Sequence, residues 1–244
     1  MIGCDCAVCT SENPKNRRTR ASILVETDRK PEGEIDGPVI LIDTATEFRI
    51  QAIREGIRRL DAVFITHVHA DHVHGLDDIR PLTSRKPLPL YASRADVEEI
   101  RQRFGYIFRP TQVGGGKPKI RTANLGREGV RIGRVRVLPI PIKHGTMDIY
   151  GYRIGKFAYL TDCNGIPESS YRLLEGLRVL VIGALRHEPH PTHFSVQEAL
   201  DATKRISPGS AYLTHICHRL DHEQLARELP AGVMPAFDGL QVVI

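Results

Sequence analysis

The stretch Asp61-Ala62-Val63-Phe64-Ile65-Thr66-His67-Val68-His69-Ala70-Asp71-His72-Val73-His74 passes from an apolar run into five metal-competent side chains within eight residues. The apolar part predicts a short buried strand. The histidines then occupy the loop leaving its carboxyl end, where open α/β layers place their chemistry. In an extended segment His67 and His69, two apart, project together, while Asp71 and His72 point elsewhere and can reach a second ion. Neutral imidazole and carboxylate suit borderline divalent metals such as zinc, and also iron and manganese. One short loop can therefore serve two metals, a density that a solvated polar turn does not need.

The surrounding chain reads as alternating strands and helices. Residues 21–27 and 38–43 predict a strand pair joined by the polar segment 28–37. Thr44 and Glu47 have capping-box spacing ahead of a helix whose apolar stripe is Ile50, Ile53, Ile57 and Leu60, with Arg49, Arg54, Arg58 and Arg59 largely off it. Beyond the histidine loop come a short helix over 72–79, a strand over 88–92 and a capped helix over 93–104. Periodicity fades from Gly105 to Gly129, and Gly114-Gly115-Gly116 with Tyr106 and Phe108 suggests a long excursion serving as a lid. Strands are expected at 135–138, 149–154, 157–160, 178–183 and 211–213, with a helix opened by a Ser195/Glu198 capping box and ending near Ile206. This alternation favours layered α/β.

Three further candidate ligands fall at strand ends: His144, Asp162 after the strand ending at Leu160, and His215 after the strand ending at Leu213. Their joint occurrence behind apolar runs carries the argument, since a lone histidine is ordinarily structural or superficial. His74 and His222 are expected on the surface. His187 and His190 share an irregular segment with His193 and are weaker candidates for touching substrate.

The 244 residues with 41% hydrophobic content fit one large domain. The expectation is a single hydrolase domain over 1–244 with an N-terminal zinc knuckle over 3–20. There is no apolar leader and no stretch long enough to span a bilayer, so a cytoplasmic protein without membrane partners is expected. The net charge of +5, from 34 Lys and Arg against 29 Asp and Glu, permits an anionic substrate without requiring nucleic acid. Arg17, Arg18 and Arg20 could receive a phosphate or form a solvated basic loop. Five cysteines, three of them in Cys4-Asp5-Cys6-Ala7-Val8-Cys9, argue for metal binding in a reducing compartment rather than a disulfide framework. A thiolate cluster of this kind selects zinc and needs a fourth ligand from elsewhere, for which Cys217 is a weak competitor.

In order, His67, His69, Asp71, His72, His144, Asp162 and His215 match the pattern of the metallo-β-lactamase superfamily, which the chain resembles over nearly its whole length. Within it, the segments Gly3 to Cys9, Gly75 to Arg80 and Thr214 to His218 look like the group containing the phosphoribosyl cyclic phosphate phosphodiesterase of the carbon-phosphorus lyase (phosphonate) pathway. The resemblance implies an αβ/βα four-layer sandwich, two divalent metal ions in the active site (zinc or manganese, or else iron), and a separate structural zinc held by Cys4, Cys6, Cys9 and His218. It also matches His193 to that enzyme's catalytic, non-ligand histidine, and suggests a homodimer. Relatives carry a first strand and a Gly-rich turn ahead of the cysteines, so with Met1 only two residues before Gly3 the sandwich is expected to lack that strand.

On this reading His67, His69 and His144 hold one metal, Asp71, His72 and His215 hold the other, and Asp162 bridges them. His193 protonates the leaving sugar oxygen of a small anionic phosphodiester. Two rival enzymes share the metal set. One is a ribonuclease Z-like nuclease, whose RNA-binding arm lies between the residues matching His144 and Asp162, where only 17 residues stand here. The other is a lactone or thioester hydrolase. A metal-binding protein without catalysis is the bland third possibility.

Overall fold

The structure, a computed structural model, describes residues 1–110 and 116–244. Gly114 and Gly115, the centre of the expected lid, lie outside the described residues. Chain contacts divide the protein into two compact units, one of Arg20–Pro139 and one of Met1–Thr19 with Ile140–Ile244. Each has its own sheet and hydrophobic core.

In the first unit β1 (Ile23–Glu26) and β2 (Val39–Ile42) pair antiparallel, as the two flanking runs predict. There follow α1 (Phe48–Arg54), β3 (Ala62–Phe64), α2 (Ala70–Val73) and a 3-10 segment His74–Thr83. Next come β4 (Leu88–Ala92), α3 (Arg94–Arg103), α4 (Gly105–Phe108) and β5 (Ile120–Asn124). The sheet order is β1-β2-β3-β4-β5, parallel from β2 onward. Parallel neighbours need crossovers, and the helical stretches between the strands supply them. Leu41, Val63, Ile65 and Leu90 from the sheet side meet Phe48, Leu76, Ile79, Val97 and Ile100 from the helical stretches in one core. β6 (Val130–Ile132) forms a hairpin with the first residues of β7 (Val135–His144).

Two expectations are corrected in this unit. The helix after β2 is only two turns long, starts at Phe48, and has Glu47 at its N-cap with no side-chain capping bond. Thr44 instead directs its hydroxyl to the carbonyls of His72 and Val73. With Phe48 setting the helix phase, Ile50 and Ile53 turn outward and are 60% and 71% exposed. The second correction is β5, an edge strand within the region read as aperiodic. Its sequence Ile-Arg-Thr-Ala-Asn has one large apolar residue and is nowhere fully buried, so it carries no alternation to detect.

In the second unit β7 continues to His144 and is followed by β8 (Met147–Ile154), β9 (Phe157–Leu160), α5 (Glu168–Arg172) and β10 (Val179–Gly183). Then come α6 (Val196–Ile206), β11 (Ser210–Thr214), α7 (His222–Glu228) and β12 (Val233–Pro235). The strands run in the order β12-β11-β10-β9-β8-β7. β9 to β12 are mutually parallel, and β8 joins β9 antiparallel. The expected capping box is present at α6, with Ser195 accepting from the Glu198 amide and the Glu198 carboxylate accepting from the Ser195 amide. The core gathers Leu160, Leu180, Ile182 and Leu213 under Val196, Ala199, Ile206 and Leu225.

Parallel pairing decides where the chemistry falls. β9 and β11 flank β10 in register, so their carboxyl ends share one edge, and Asp162 and His215 leave from it. In the other unit β2 and β3 do the same for Asp43 and the histidine loop. Among the described residues no helix is long and apolar enough to cross a membrane.

Candidate metal centres

In the unit Arg20–Pro139, His67 and His72 are fully buried on the loop after β3, while His69 is exposed and Asp71 half-buried. Their orientation is set by Asp43, fully buried at the end of β2. Asp43 Oδ2 accepts from His72 Nδ1 at 2.8 Å, and its Oδ1 accepts from the Thr66 amide at 2.8 Å. The Thr66 hydroxyl also donates to this carboxylate, which leaves its lone pairs to accept from His67 Nδ1 at 3.0 Å. Both rings therefore carry their proton on Nδ1 and present Nε2 as a base, the tautomer a metal requires. His67 Nε2 and His69 Nδ1 then face each other at 3.0 Å, two donor nitrogens converging as ligands to one cation would. Asp71 lies 3.5 Å from His72 Nε2. Burial raises the Asp43 pKa, and its contacts with His72 and Thr66 pull it back.

The histidine loop is held from behind. Arg103 of α3 donates to the Val68 carbonyl, between His67 and His69, at 2.7 Å. Gly75 comes so close to the turn before α1 that a Cβ there would stand 2.2 Å from the Ala45 carbonyl, which excludes any other residue.

In the unit Met1–Thr19 with Ile140–Ile244, His144 and Asp162 are buried and His193 and His215 half-buried. His144 Nδ1 donates to the Thr192 carbonyl at 2.7 Å, again leaving Nε2 as the base. His215 Nε2 lies 3.3 Å from the Asp162 carboxylate and His193 Nδ1 3.8 Å from it. The His193 ring stacks on His215 and meets His144 edge-on. Burial is the largest influence on His193 and brings its pKa down to about 4, with the neighbouring imidazoles adding to the effect and Asp162 opposing it. The ring is therefore neutral near pH 7. Asp43, Asp162 and His215 share one backbone feature, a left-handed φ of 64°, 55° and 56°. Non-glycine residues in that region cost about 1–3 kcal/mol each and concentrate at functional sites.

The cysteines form a separate group in the same unit. Cys4, Cys6, Cys9 and His218 bring one ligand atom each to within 4.8 Å of one another. His218 Nδ1 is 3.4 Å from Cys4 Sγ and 3.5 Å from Cys6 Sγ. A tetrahedron with Zn–S of about 2.3 Å and Zn–N of about 2.0 Å has an S···N edge of about 3.5 Å, so the geometry fits zinc. The backbone of Cys9, and then His218, hold the Cys6 thiol down at about 6, in favour of the thiolate. Cys217 stands outside this group, and Cys163 is a buried core thiol.

Other expectations sort themselves. His74 is exposed as read, but His222 is buried, with its ring edge-on to Phe237 and its amide donating to Asn16. It opens α7 against the N-terminal segment, which its polar neighbours in sequence conceal. Arg18 donates to the Cys217 carbonyl and Asn16, and Arg20 pairs with Glu47. His190 lies 5.0 Å from His193 between ring centres, whereas His187 pairs with Glu228. Asp43 is the residue that sequence reasoning missed. Its signal was a lone carboxylate ending the wholly apolar run Val39-Ile40-Leu41-Ile42.

The chain matches the model of the Beta-lactamase superfamily domain over residues 39–216. A protein of Porphyromonas gingivalis named Octanoyltransferase is 36% identical over 246 residues, which take in 100% of this chain and 48% of that protein. The chain thus spans about half the length of that relative. A Ribonuclease Z of Methanopyrus kandleri is 26% identical over 287 residues, covering 94% of this chain and 93% of that protein. A crystal structure described as a new diphosphatase from the PhnP family superposes with a TM-score of 0.89 at 41% identity, over 100% of this chain and 91% of that one.

Proposed function

Because the chain belongs to the beta-lactamase superfamily and is similar to a PhnP-family structure, we propose that it is a metal-dependent hydrolase that cleaves a small cyclic phosphodiester at a pair of divalent metals. The observation that carries this is the ligand chemistry. His67, His72 and His144 each have Nδ1 tied to an acceptor, which leaves Nε2 as the base that a cation would take. His67, His69 and His144 would hold one metal and Asp71, His72 and His215 the second, with Asp162 available to both. When bound, such a pair lowers the pKa of a coordinated water from about 15.7 toward about 7 and offsets charge on phosphorus. The Cys4, Cys6, Cys9 and His218 group holds a structural zinc.

His193 is the non-ligand group beside Asp162, and it donates a proton to the leaving sugar oxygen. Its ring is neutral at rest, and the anionic phosphate stabilises the protonated form that the step consumes. General acid catalysis of this sort contributes about two to four powers of ten. The interval between His144 and Asp162 is taken up by β8 and β9, without room for a nuclease arm. A second reading, cleavage of a phosphoanhydride, is supported by the 41% identical diphosphatase. The test is a metal-loaded enzyme assayed side by side on a cyclic phosphate, a linear phosphodiester, a diphosphate, a tRNA precursor, a lactone and a thioester. Preference for the cyclic phosphate supports the proposal. Turnover of the carbonyl compounds alone overturns it.

A further inference from the structure

Asn164 stands two residues beyond Asp162 and takes no part in the site as read from the sequence. Its Oδ1 accepts from the Gly145 amide at 2.8 Å, and its Nδ2 donates to the Pro191 carbonyl at 2.8 Å. Gly145 immediately follows His144, and Pro191 lies two residues before His193. The same three segments are stitched around this amide by the backbone. Lys143 and Gly165 pair as a bridge, with the Asn164 amide donating to Lys143 at 2.9 Å and the Lys143 amide to Gly165 at 2.8 Å. The Phe194 amide donates to Cys163 at 2.7 Å, and His144 Nδ1 to Thr192 at 2.7 Å.

We infer that Asn164 is a positioning residue, whose one amide fixes the loops of His144 and His193 to the segment that carries Asp162. The inference rests on the reading of those residues given above. Both partners dictate the amide's orientation, because a backbone N–H can only donate and a carbonyl can only accept. Asparagine meets both demands at once. Aspartate accepts without donating, alanine does neither, and glutamine places its amide a methylene too far. The approach of the two loops is close: Gly145 has φ +60°, and a Cβ there would stand 2.9 Å from Thr192 Cγ2. A small displacement of either loop therefore moves His144 and His193 relative to each other, and second-sphere contacts of this kind are worth about 10–100-fold in metal affinity or activity.

The two arms separate by substitution in the metal-loaded full-length enzyme. Asn164→Asp keeps the acceptor for Gly145 and sets a carboxylate oxygen against the Pro191 carbonyl. It is expected to keep metal affinity, read by chelator competition, near wild type, while kcat falls about tenfold or more with KM little changed. Asn164→Ala loses both arms and is expected to weaken metal binding about tenfold as well. If Asn164 acts through His193, adding Asn164→Asp to His193→Ala lowers kcat no further. Wild-type kcat in Asn164→Asp, or an additive loss in the double variant, would overturn the inference. So would unchanged metal affinity in Asn164→Ala. The two readings fail differently: if His193→Ala itself is without effect, the role of His193 falls, whereas a damaged His193→Ala beside an intact Asn164→Asp removes Asn164 alone.

Discussion

Replacing Asp43 with asparagine tests how the histidine loop is made ready for a metal. The carboxylate accepts from three donors at once: His72 Nδ1, the Thr66 amide and the Thr66 hydroxyl. An asparagine amide is nearly the same shape but must turn an NH2 toward one side. With the nitrogen toward His72 it faces Nδ1–H, and the ring relieves this by moving its proton to Nε2, the atom a metal needs. With the nitrogen toward Thr66 it opposes the backbone N–H, and the loop must give. Either way a ligand is lost or displaced, a change worth about 10–100-fold in affinity, or roughly 1.4–2.8 kcal/mol. Metal-free stability is the weaker readout, because two effects oppose. One buried donor left unmet costs about 1–3 kcal/mol, whereas removing a carboxylate whose burial disfavours its charge returns some of that. The decisive assay is chelator competition on Asp43→Asn and wild type. Wild-type affinity for both active-site metals in the variant would refute the argument that Asp43 sets the tautomer.

Four further outcomes are expected. His193→Ala lowers kcat by about two to four powers of ten on the best substrate and leaves metal content unchanged, as metal analysis and steady-state kinetics together would report. Cys6→Ser releases one zinc per chain and lowers the melting temperature, and a variant that keeps its zinc would show the cysteine group is not a site. Asp221 caps α7 through the amides of Glu223 and Gln224, and those bonds, with Asn16, hold its pKa below the usual 3.8. Its ionised form therefore stabilises the fold fully above 3.8 and loses that contribution as pH falls through the lowered folded value, so Asp221→Ala should cost about 1 kcal/mol, or about 2–4 °C, at pH 7 and less once both proteins are acidified below that lowered value. Ile50→Lys and Ile53→Lys, on the outward face of α1, should each change stability by less than about 0.5 kcal/mol, and a larger loss in chemical denaturation would restore them to the core.

The parts of the protein that were legible in the sequence were those whose signal is local. Five ligating side chains in eight residues need no tertiary information, and neither does the Ser195/Glu198 capping box. His144, Asp162 and His215 were legible because each stands at the end of a largely apolar strand, and parallel pairing through β10 brings the ends of β9 and β11 to one edge. What stayed hidden depends on long-range contact. Asp43 is one acid among 29 until the return of His72 to it is seen. Asn164 looks like an ordinary turn residue until Gly145 and Pro191 arrive on either side. The stripe Ile50-Ile53-Ile57-Leu60 misled because periodicity assumes a helix long enough to show it, and α1 ends at Arg54. His222 misled because burial there comes from Asn16 and Phe237, both remote in sequence.

Elemental analysis of the fully loaded protein, set against its concentration, tests the central claim most directly. Three ions per chain, falling to two in Cys6→Ser and to fewer than three in Asp71→Ala, is the predicted result. A loaded wild-type protein holding only one ion beyond the cysteine site would contradict the paired-metal centre.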